Sequence, residues 1–485
     1  MNIQEAYEEI CHSITAYMAK NEAGLYRLPM EHRRPLLLMG APGIGKTAVV
    51  KQAASKCQVA FLSYAMTHHT RQSAIGLPVI RERSFQGTPY SITEYTMSEI
   101  VGDILHAMEK TGLDEGVLFL DEINCVSETL LPSMLRLLQF KSFGSHRLPD
   151  GWIIVAAGNP PGRYNRSARE LDIVTLDRVR LLSLEPDLAA WRSYALRQTV
   201  HGAILSYLSL KPEHFYICRR REGGNEFVTP RSWEDLSTAL ETYEALSLPV
   251  DGHLFPQFLQ CSEVSEGFSS YYRLYRKLSE TPGLDGLITS GQIPAAFPSL
   301  KDAPADEKLC LAEYLVQNIH RQLQTWDDER LLSESLDYFM DGLDACRPDL
   351  PGLETACADL LARRALALQK KKEFGLLSPR EELREQLLAD QVKALASEAR
   401  LSGLHADTCA VSVMRSLSRN IHSRVQREAL RLEAVFHGIG LFIPEVFGHD
   451  LTTCLFFTEL LEHPETKAFL MERMQETYHR FTEFI

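Results

Sequence analysis

One short stretch near the start constrains this chain more than any other feature. Residues 36–54 read LLLMGAPGIGKTAVVKQAA: an apolar run, a loop rich in Gly and Pro, and a helix-forming segment. The loop fits the pattern GxxxxGK(S/T) in full, and it lies between a predicted strand and a predicted helix, as that pattern requires. Backbone N–H groups, a helix N-terminus and a Lys ammonium can together bind phosphate. The stretch therefore predicts a phosphate-binding loop in an α/β fold.

Two side chains of this loop have predicted roles. Lys46 supplies a mobile cation for the β- and γ-phosphates of a nucleotide, and Thr47 supplies a hydroxyl for magnesium. The residues expected to surround the phosphates are Gly40, Ala41, Pro42, Gly43, Ile44, Gly45, Lys46, Thr47 and Ala48.

Apolar runs in the first part of the chain predict a parallel sheet. PLLLM at 35–39 is the first predicted strand, and the others are VAFLSYAM (59–66), VLFLD (117–121), WIIVAAGN (152–159) and VRLLSL (179–184). Helical segments alternate with these strands, which indicates helices on both faces of the sheet. Parallel strands buried on both faces read as near-continuous apolar runs, as these do.

The strand signals stop after about residue 186, and the remaining pattern is helical. We predict an N-terminal helix over 1–30 that packs on the core, an αβα nucleotide-binding core over 31–186 and a small α-helical lid over 187–280. A stretch with several Pro and Gly, 281–307, is predicted to be a linker. Residues 308–485 are predicted to form an all-α C-terminal extension, to which the sequence assigns no role.

Two acidic residues follow the predicted strand VLFLD. At the end of a buried strand, Asp121 can hold magnesium through water, and Glu122 can polarise an attacking water as general base. The pair indicates hydrolysis rather than transfer to a small acceptor. Asn159 ends the next strand, at the carboxyl edge where ligands bind in such folds. It is predicted to orient the water and to sense the γ-phosphate.

Arginines further along the chain are candidates for stabilising charge on a phosphate. Arg178 lies just before the predicted fifth strand and could reach a nucleotide in a neighbouring subunit as an arginine finger, with Arg180 and Arg166 as competing candidates. Arg231 lies in the first turn of a helix predicted to begin at TPRSW, where a cation opposes the helix dipole. That placement suggests an anionic partner such as the γ-phosphate.

Composition narrows the class of protein. The net charge of -13 and a sequence pI of about 5.7 argue against a general nucleic-acid coat, which would be basic. No apolar run approaches the length of a membrane span, and the N-terminus does not have the pattern of a secretory signal. The ten Cys are scattered without a CxxC pair, so we expect reduced thiols and a cytoplasmic location.

In this order, the motifs resemble those of an AAA+ ATPase, and within that superfamily the MoxR branch of the helix-2-insert clade, of dynein-related type. The resemblance covers about residues 30–280. GAPGIGKT looks like Walker A, VLFLDEIN like Walker B, Asn159 like sensor 1, LDRV around Arg178 like the arginine-finger motif, and TPR around Arg231 like sensor 2. Two family insertions have counterparts at 76–97 and 139–161.

The resemblance implies a mechanism and partners. It implies Mg-dependent hydrolysis of ATP to ADP and phosphate, with ATP and Mg²⁺ as cofactors, in a homo-oligomeric ring that is often hexameric. It also implies chaperone-like remodelling of protein clients, often with a partner that carries a von Willebrand factor A domain. The sequence departs from the family at Val179, where Phe is usual, and at Gly158, where Gln is frequent. The family pattern does not extend to the C-terminal 200 residues.

Other functions stay open at this stage. A nucleic-acid motor is the main alternative, because five basic or titratable residues lie in the two inserts: Arg81, Arg83, Lys141, His146 and Arg147. A scaffold gated by a nucleotide and hydrolysing it slowly is a third possibility, although all the hydrolytic residues are present. A GTPase is less favoured because no NKxD-like segment that would read the base is found.

Overall fold

A computed structural model describes most of the chain in two compact units. The described residues are 1–69, 72, 76–85, 88–143, 146–162, 164, 167–198, 200–221, 224–279, 283–294, 304–346, 352–373, 379–401 and 410–485. The first unit comprises residues 1–190 with 366–378, and the second comprises 191–365 with 379–485.

A five-stranded parallel sheet lies at the centre of the first unit. Its strands are β1 (Leu36–Gly40), β2 (Ala60–Ala65), β5 (Gly116–Asp121), β8 (Trp152–Gly158) and β9 (Arg180–Leu184), in the spatial order β2-β5-β8-β1-β9. All four pairings are parallel. The central strand β8 is buried along its whole length. The predicted α/β class with a parallel sheet is therefore confirmed, and β5, β8 and β1 end side by side at one carboxyl edge.

Two antiparallel hairpins extend from this unit. One pairs β3 (Pro78–Phe85) with β4 (Thr88–Tyr95), and the other pairs β6 (Ser142–Phe143) with β7 (His146–Arg147). They lie within the two stretches that resemble family insertions. The helices of this part of the chain are α1 (Ile3–Met18), α2 (Lys46–Lys56), α3 (Glu99–Thr111), α4 (Leu131–Phe140) and α5 (Ile173–Leu176).

The N-terminal helix is shorter than the predicted 1–30 segment. It starts in a capping box, in which Asn2 and Glu5 exchange hydrogen bonds with each other's backbone, and it ends at Met18. Beyond it, Lys20 forms a β-bridge with Tyr26, and Asn21 accepts hydrogen bonds from the backbone of the intervening turn. An Asn side chain that bonds its own turn competes with helix continuation.

Helices dominate the rest of the chain. In chain order they are α6 (Leu188–Arg197), α7 (Gly202–Leu210), α8 (Pro230–Ala245), α9 (Phe255–Phe258), α10 (Ser262–Ser279), α11 (Leu284–Ser290), α12 (Ala305–Cys346), α13 (Leu353–Glu373), α14 (Pro379–Leu401), α15 (Ala410–Phe447), α16 (Leu451–Glu462), α17 (Pro464–Arg473) and α18 (Gln475–Thr482). A hairpin of β10 (Ile217–Arg221) and β11 (Gly224–Val228) interrupts the segment predicted as a helical lid. In the described part of the chain, no helix is both long and apolar enough to cross a membrane.

The second unit joins segments that the sequence suggested were separate. Within the predicted linker 281–307, α11 buries Leu284, Leu287 and Ile288 in an apolar core shared with α12 and α15. A further apolar cluster is formed by parts of α12, α14 and α15 beyond this core. Most of the predicted lid and most of the predicted C-terminal extension thus belong to one compact unit. The predicted domain limits themselves remain predictions.

Candidate nucleotide-binding site

The loop between β1 and α2 has the backbone that phosphate binding needs. Gly43 and Gly45 have φ angles of 76° and 89°, in the left-handed region that favours glycine. Gly45 is also the N-cap of α2, so the first N–H groups of that helix face the loop without an intrahelical acceptor. The loop therefore presents a helix N-terminus and turned backbone to one small volume.

Lys46 connects this loop to the end of the central strand. Its Nζ donates hydrogen bonds to the carbonyl oxygens of Gly40 at 2.9 Å and Ala41 at 2.8 Å, and to Oδ1 of Asn159 at 3.0 Å. These acceptors are neutral oxygens, and a phosphate oxygen is a stronger acceptor for an ammonium group. Lys46 is thus held where a phosphate on the loop would meet both Lys46 and Asn159.

The two predicted magnesium ligands are in direct contact. Thr47 Oγ1 donates a hydrogen bond to Oδ2 of Asp121 at 2.8 Å. A hydroxyl and a carboxylate suit Mg²⁺, which keeps several waters and is completed by substrate phosphates. Among the residues described, no group of three or more His, Cys, Asp and Glu could hold a metal ion by itself. The Thr47 hydroxyl and the Asp121 carboxylate fit a cation whose coordination is completed by water and by nucleotide phosphates.

Glu122 follows Asp121 in a strained backbone conformation. Its φ is 54°, and its N–H donates to Oδ1 of Asp121 at 2.9 Å. A non-glycine residue in this region costs on the order of 1 kcal/mol, and such residues are frequent at functional sites. Thr67 Oγ1 donates a hydrogen bond to Glu122 Oε2 at 2.8 Å, so a side chain beyond β2 sets the orientation of the carboxylate.

Sequence reasoning missed Thr67 and Asn124. Thr67 follows β2, the neighbour of β5 in the sheet, so a search for polar residues beyond every strand end would have found it. Asn124 is 2% exposed and bonds to the backbone of Asn159. It lies in the quoted motif VLFLDEIN, but the spacing alone did not separate it from its neighbours.

The three candidate fingers differ in their surroundings. Arg178 is half-buried after α5, a helix capped by Asp172. Hydrogen bonds from Thr175, together with the charge of Arg178, lower the pKa of that Asp172. Arg180 instead bonds to residues of α1, and Arg166 lies outside the described residues. Among the described residues, the Arg180 guanidinium thus has partners on α1 that Arg178 does not share, and the arginine-finger role of Arg178 remains a prediction.

Arg231 belongs to the second unit. It lies in the first turn of α8, exposed, behind the N-cap Thr229, whose Oγ1 accepts a hydrogen bond from Ser232 N at 3.2 Å. Its role as sensor 2 remains a prediction.

The sheet order and the loop between β1 and α2 define the P-loop NTPase fold. More particularly, residues 35–179 match the family model of the AAA domain of the dynein-related subfamily, and this region is an AAA+ ATPase domain. Domains of this class generally bind ATP with Mg²⁺ and hydrolyse it, and they commonly form hexameric rings. The match leaves residues 180–485 outside it.

Two solved structures are similar to the chain over longer stretches, both at low sequence identity. No curated protein matches the chain. A point mutant of RuvB from Thermotoga maritima is 14% identical, with a TM-score of 0.30, covering 57% of this chain and 79% of that one. A "putative ATPase" from Cytophaga hutchinsonii is 13% identical, with a TM-score of 0.25, covering 55% of this chain and 81% of that one.

Proposed function

We propose that this chain is a MoxR-type ring ATPase that hydrolyses ATP and uses the energy to remodel or activate protein clients, with a von Willebrand factor A domain protein as partner. The observation that carries the proposal is the meeting of four predicted residues at one sheet edge. Lys46 contacts Asn159, and Thr47 contacts Asp121, beside Glu122.

The side chains divide the chemistry of hydrolysis among them. The loop and Lys46 bind the phosphates, and Thr47 and Asp121 would hold Mg²⁺, which supplies positive charge for the developing negative charge when bound. Glu122 accepts the proton of the attacking water, and Thr67 fixes the carboxylate that does so. Asn159 orients that water near Lys46. These roles rest on the contacts of the side chains and on the resemblance.

The surface of the β3–β4 hairpin is evidence that the client is a protein. Around it lie side chains that are large, apolar and exposed: Leu77 at 55%, Val79 at 40%, Ile80 at 76% and Tyr90 at 44%. Exposed large apolar side chains concentrated on one hairpin are typical of a site of protein contact. In this proposal the hairpin engages the client.

The basic residues that would favour nucleic acid are engaged by other groups. Arg81 and Arg83 both pair with Glu94, and Arg147 pairs with Glu31. Lys141 is 5% exposed. Burial lowers the pKa of Lys141 to about 8, and its ammonium donates a hydrogen bond to the carbonyl oxygen of Leu138. These carboxylates reduce the positive potential on which phosphate-backbone binding depends, so the proposal favours a protein client.

The exposed apolar surface beside Arg178 is consistent with assembly of this chain into a ring. Ile173, Val174 and Leu176 on α5 are 84%, 54% and 36% exposed, next to a cation that has a predicted role in a neighbouring subunit. Apolar surface that a second copy covers would place Arg178 at that copy's nucleotide. The proposed location is the cytoplasm, as the scattered Cys residues without a CxxC pair lead us to expect.

The test is Glu122→Gln, with Glu109→Gln as the matched control on the exposed face of α3. We expect the first variant to bind ATP as the wild type does but to hydrolyse it at least about a hundredfold more slowly, because the general base is lost. The control should hydrolyse normally. Unchanged turnover in Glu122→Gln would contradict the assigned mechanism.

The client proposal has its own readout. With ATP bound and hydrolysis blocked, Glu122→Gln should retain a protein client in an ATP-dependent pull-down, and a protein with a von Willebrand factor A domain should be recovered with it. Salt-sensitive stimulation of the wild-type ATPase by DNA would instead support the nucleic-acid motor.

A further inference from the structure

Asn124 is a buried amide at the centre of the candidate site. It follows the acidic pair at the end of β5 and is 2% exposed. Its Nδ2 donates one hydrogen bond to the carbonyl oxygen of Asn159 at 2.8 Å and another to that of Arg169 at 3.1 Å. Its Oδ1 accepts a hydrogen bond from Asn159 N at 3.3 Å.

These partners fix the orientation of the amide. Two carbonyl oxygens can be satisfied only by the NH₂ group, and the backbone N–H only by the carbonyl oxygen of the side chain. The backbone of Asn124 adds a further bond, since its own carbonyl oxygen accepts from Arg169 N at 2.9 Å. Asn124 therefore holds both Asn159 and Arg169 by donors and acceptors together.

Gly158 makes this arrangement possible. A Cβ built at position 158 would lie 2.6 Å from Oδ1 of Asn124 and 3.0 Å from Sδ of Met39. Both distances are too short for ordinary packing, so a side chain here would displace the amide. The departure from the family at Gly158 is thus matched by the close approach of Asn124.

The two residues that Asn124 binds are connected to different candidate functional groups. Asn159 touches Lys46 on the phosphate loop. Arg169 begins a short path to Arg178: Asp172 caps α5 by accepting from Thr175 N at 2.7 Å, and Arg178 N donates to Thr175 O at 3.1 Å. A shift at residue 169 would therefore move the capped turn that carries Arg178.

We propose that Asn124 is a positioning residue that couples the γ-phosphate contact at Asn159 to the segment carrying Arg178. The inference rests on the proposed ATPase function and adds a regulatory connection to it. When a phosphate displaces Asn159, Asn124 passes the displacement to residue 169, so that the arginine offered to the neighbouring subunit depends on the nucleotide bound in its own subunit.

The first test is Asn124→Asp in the full chain. A carboxylate has no N–H donor and would direct an oxygen at two carbonyl oxygens. We expect the dissociation constant for ATP to change by less than about threefold, because the phosphate loop is untouched, while kcat falls about ten- to a hundredfold. Asn318→Asp is the matched control, since Asn318 Nδ2 likewise donates to a backbone carbonyl, that of Tyr314 at 2.7 Å, but in the second unit.

A second readout does not depend on hydrolysis. In the wild type, hydrogen–deuterium exchange of residues 167–178 should differ between ADP and a non-hydrolysable ATP analogue. In Asn124→Asp that difference should disappear, while the exchange of residues 40–50 still responds to nucleotide. If Asn124→Asp does not fold, Gly158→Ala carries both measurements, because its Cβ displaces the same amide.

Two results would overturn the coupling. One is a normal kcat in both variants, and the other is a nucleotide response at 167–178 that persists in them. A wild-type protein that binds the analogue without hydrolysing ATP would refute the proposed function alone, because the exchange measurement would still test the coupling.

Discussion

Arg180 forms hydrogen bonds with Ser13 at 2.9 Å and Tyr17 at 3.3 Å, and it pairs with Glu9. All three partners lie on α1, so this guanidinium fastens the N-terminal helix to the edge strand β9. Two positions earlier, the backbone N–H of Arg178 donates a hydrogen bond to the carbonyl oxygen of Thr175, at the end of α5. Among the described residues, the Arg178 side chain has no comparable set of partners on α1. Substitutions of the two arginines should therefore have different effects on stability and on activity.

Replacing them one at a time separates these roles. Arg178→Ala is expected to reduce kcat by about a thousandfold with little change in melting temperature, because an arginine finger stabilises only the transition state. Arg180→Ala is expected to lower the melting temperature and to affect kcat less. Thermal melts and steady-state ATPase assays on both variants decide the assignment.

Mixing experiments test whether Arg178 acts in the neighbouring subunit. Arg178→Ala and Lys46→Ala subunits are each expected to be inactive alone, but a mixed ring would contain interfaces with an intact Lys46 on one side and an intact Arg178 on the other. Activity should reappear on mixing. Its absence, with mixed rings shown to form, would place Arg178 in the site of its own subunit.

Local motifs identified the candidate phosphate-binding residues, but not the residues whose side chains contact them. Lys46 and Thr47 have fixed spacings in one loop, and Asp121 and Glu122 end an apolar run. Thr67 meets Glu122 across 55 positions, however, and such a pair is defined only by the sheet order. The sequence also left Arg178 and Arg180 as rivals, because the partners of Arg180 lie more than 160 residues away.

Among the elements of the second unit, α12 and α17 meet at a buried pair of histidines. His320 on α12 is 1% exposed, and its ring stacks on that of His463, just before α17, with centroids 4.2 Å apart. Burial, reinforced by the charge of His463, lowers the pKa of His320 to about 3. The neutral ring is therefore the form that the folded protein accepts.

The sign of the pH effect follows from that shift. The unfolded chain takes up a proton near the ordinary His pKa of about 6.5, whereas the folded chain does not until about pH 3. The stabilisation is present above 6.5 and is lost as the pH falls from there towards 3. His320→Phe keeps an aromatic ring in place and removes the proton site.

We expect urea unfolding to show this difference. Between pH 7.5 and 5, the free energy of unfolding of the wild type should fall by about 2 kcal/mol more than that of His320→Phe. His437→Gln, at an exposed position of α15, is the control and should follow the wild type. Parallel pH profiles for the wild type and His320→Phe would contradict a neutral buried His320.

The sequence predicted strands and helices well where complete burial produces a continuous run of apolar residues. The inner strands β5, β8 and β1 of the parallel sheet are buried almost throughout, so their apolar runs could be read directly. Helix α11 was missed inside the predicted linker because its seven residues are surrounded by Pro and Gly, and only packing against α15 reveals its apolar face. The overextended α1 shows the opposite error, in which helical spacing continued past the turn at Asn21.

On the scale of the whole molecule, the C-terminal helices and the predicted lid share one ionic centre. Arg192 on α6 pairs with Glu313 on α12 and with Glu459 on α16, and it also bonds to Ser209 on α7. Glu313 is 2% exposed. Burial raises the pKa of Glu313 in spite of the guanidinium, so the charge of Arg192 only partly offsets the cost of burying this carboxylate.

Removing the cation alone should be costly. Arg192→Met leaves two carboxylates without their shared partner, and the expected loss is about 3–5 kcal/mol in the free energy of unfolding. Arg192→Met combined with Glu313→Leu and Glu459→Leu should recover most of it, because no charge is then left buried. Urea titrations compare the variants, and an equal loss in both would show that packing rather than charge is disrupted.

The packing within the second unit indicates that removing the C-terminal extension would destabilise the lid. Helix α12 packs directly on the lid helices: a Cβ on Gly202 of α7 would lie 2.8 Å from Cγ of Gln317, and Tyr275 of α10 meets Tyr314 edge to face, with ring centroids 5.7 Å apart. A chain ending at residue 304 would expose these surfaces to water. The surface that becomes exposed to water belongs to the lid helices themselves.

We therefore expect the 1–304 chain to lose cooperative unfolding of its lid, to bind a hydrophobic dye such as ANS and to aggregate, because the apolar face of α7 and α10 loses its cover. The full chain carrying Tyr338→Ala, at a 74% exposed position of α12, is the control and should behave as the wild type. If the 1–304 chain melts at the wild-type temperature without binding dye, the extension is an independent domain. Dye binding and calorimetry on the two proteins distinguish a structural part of the lid from an appended module.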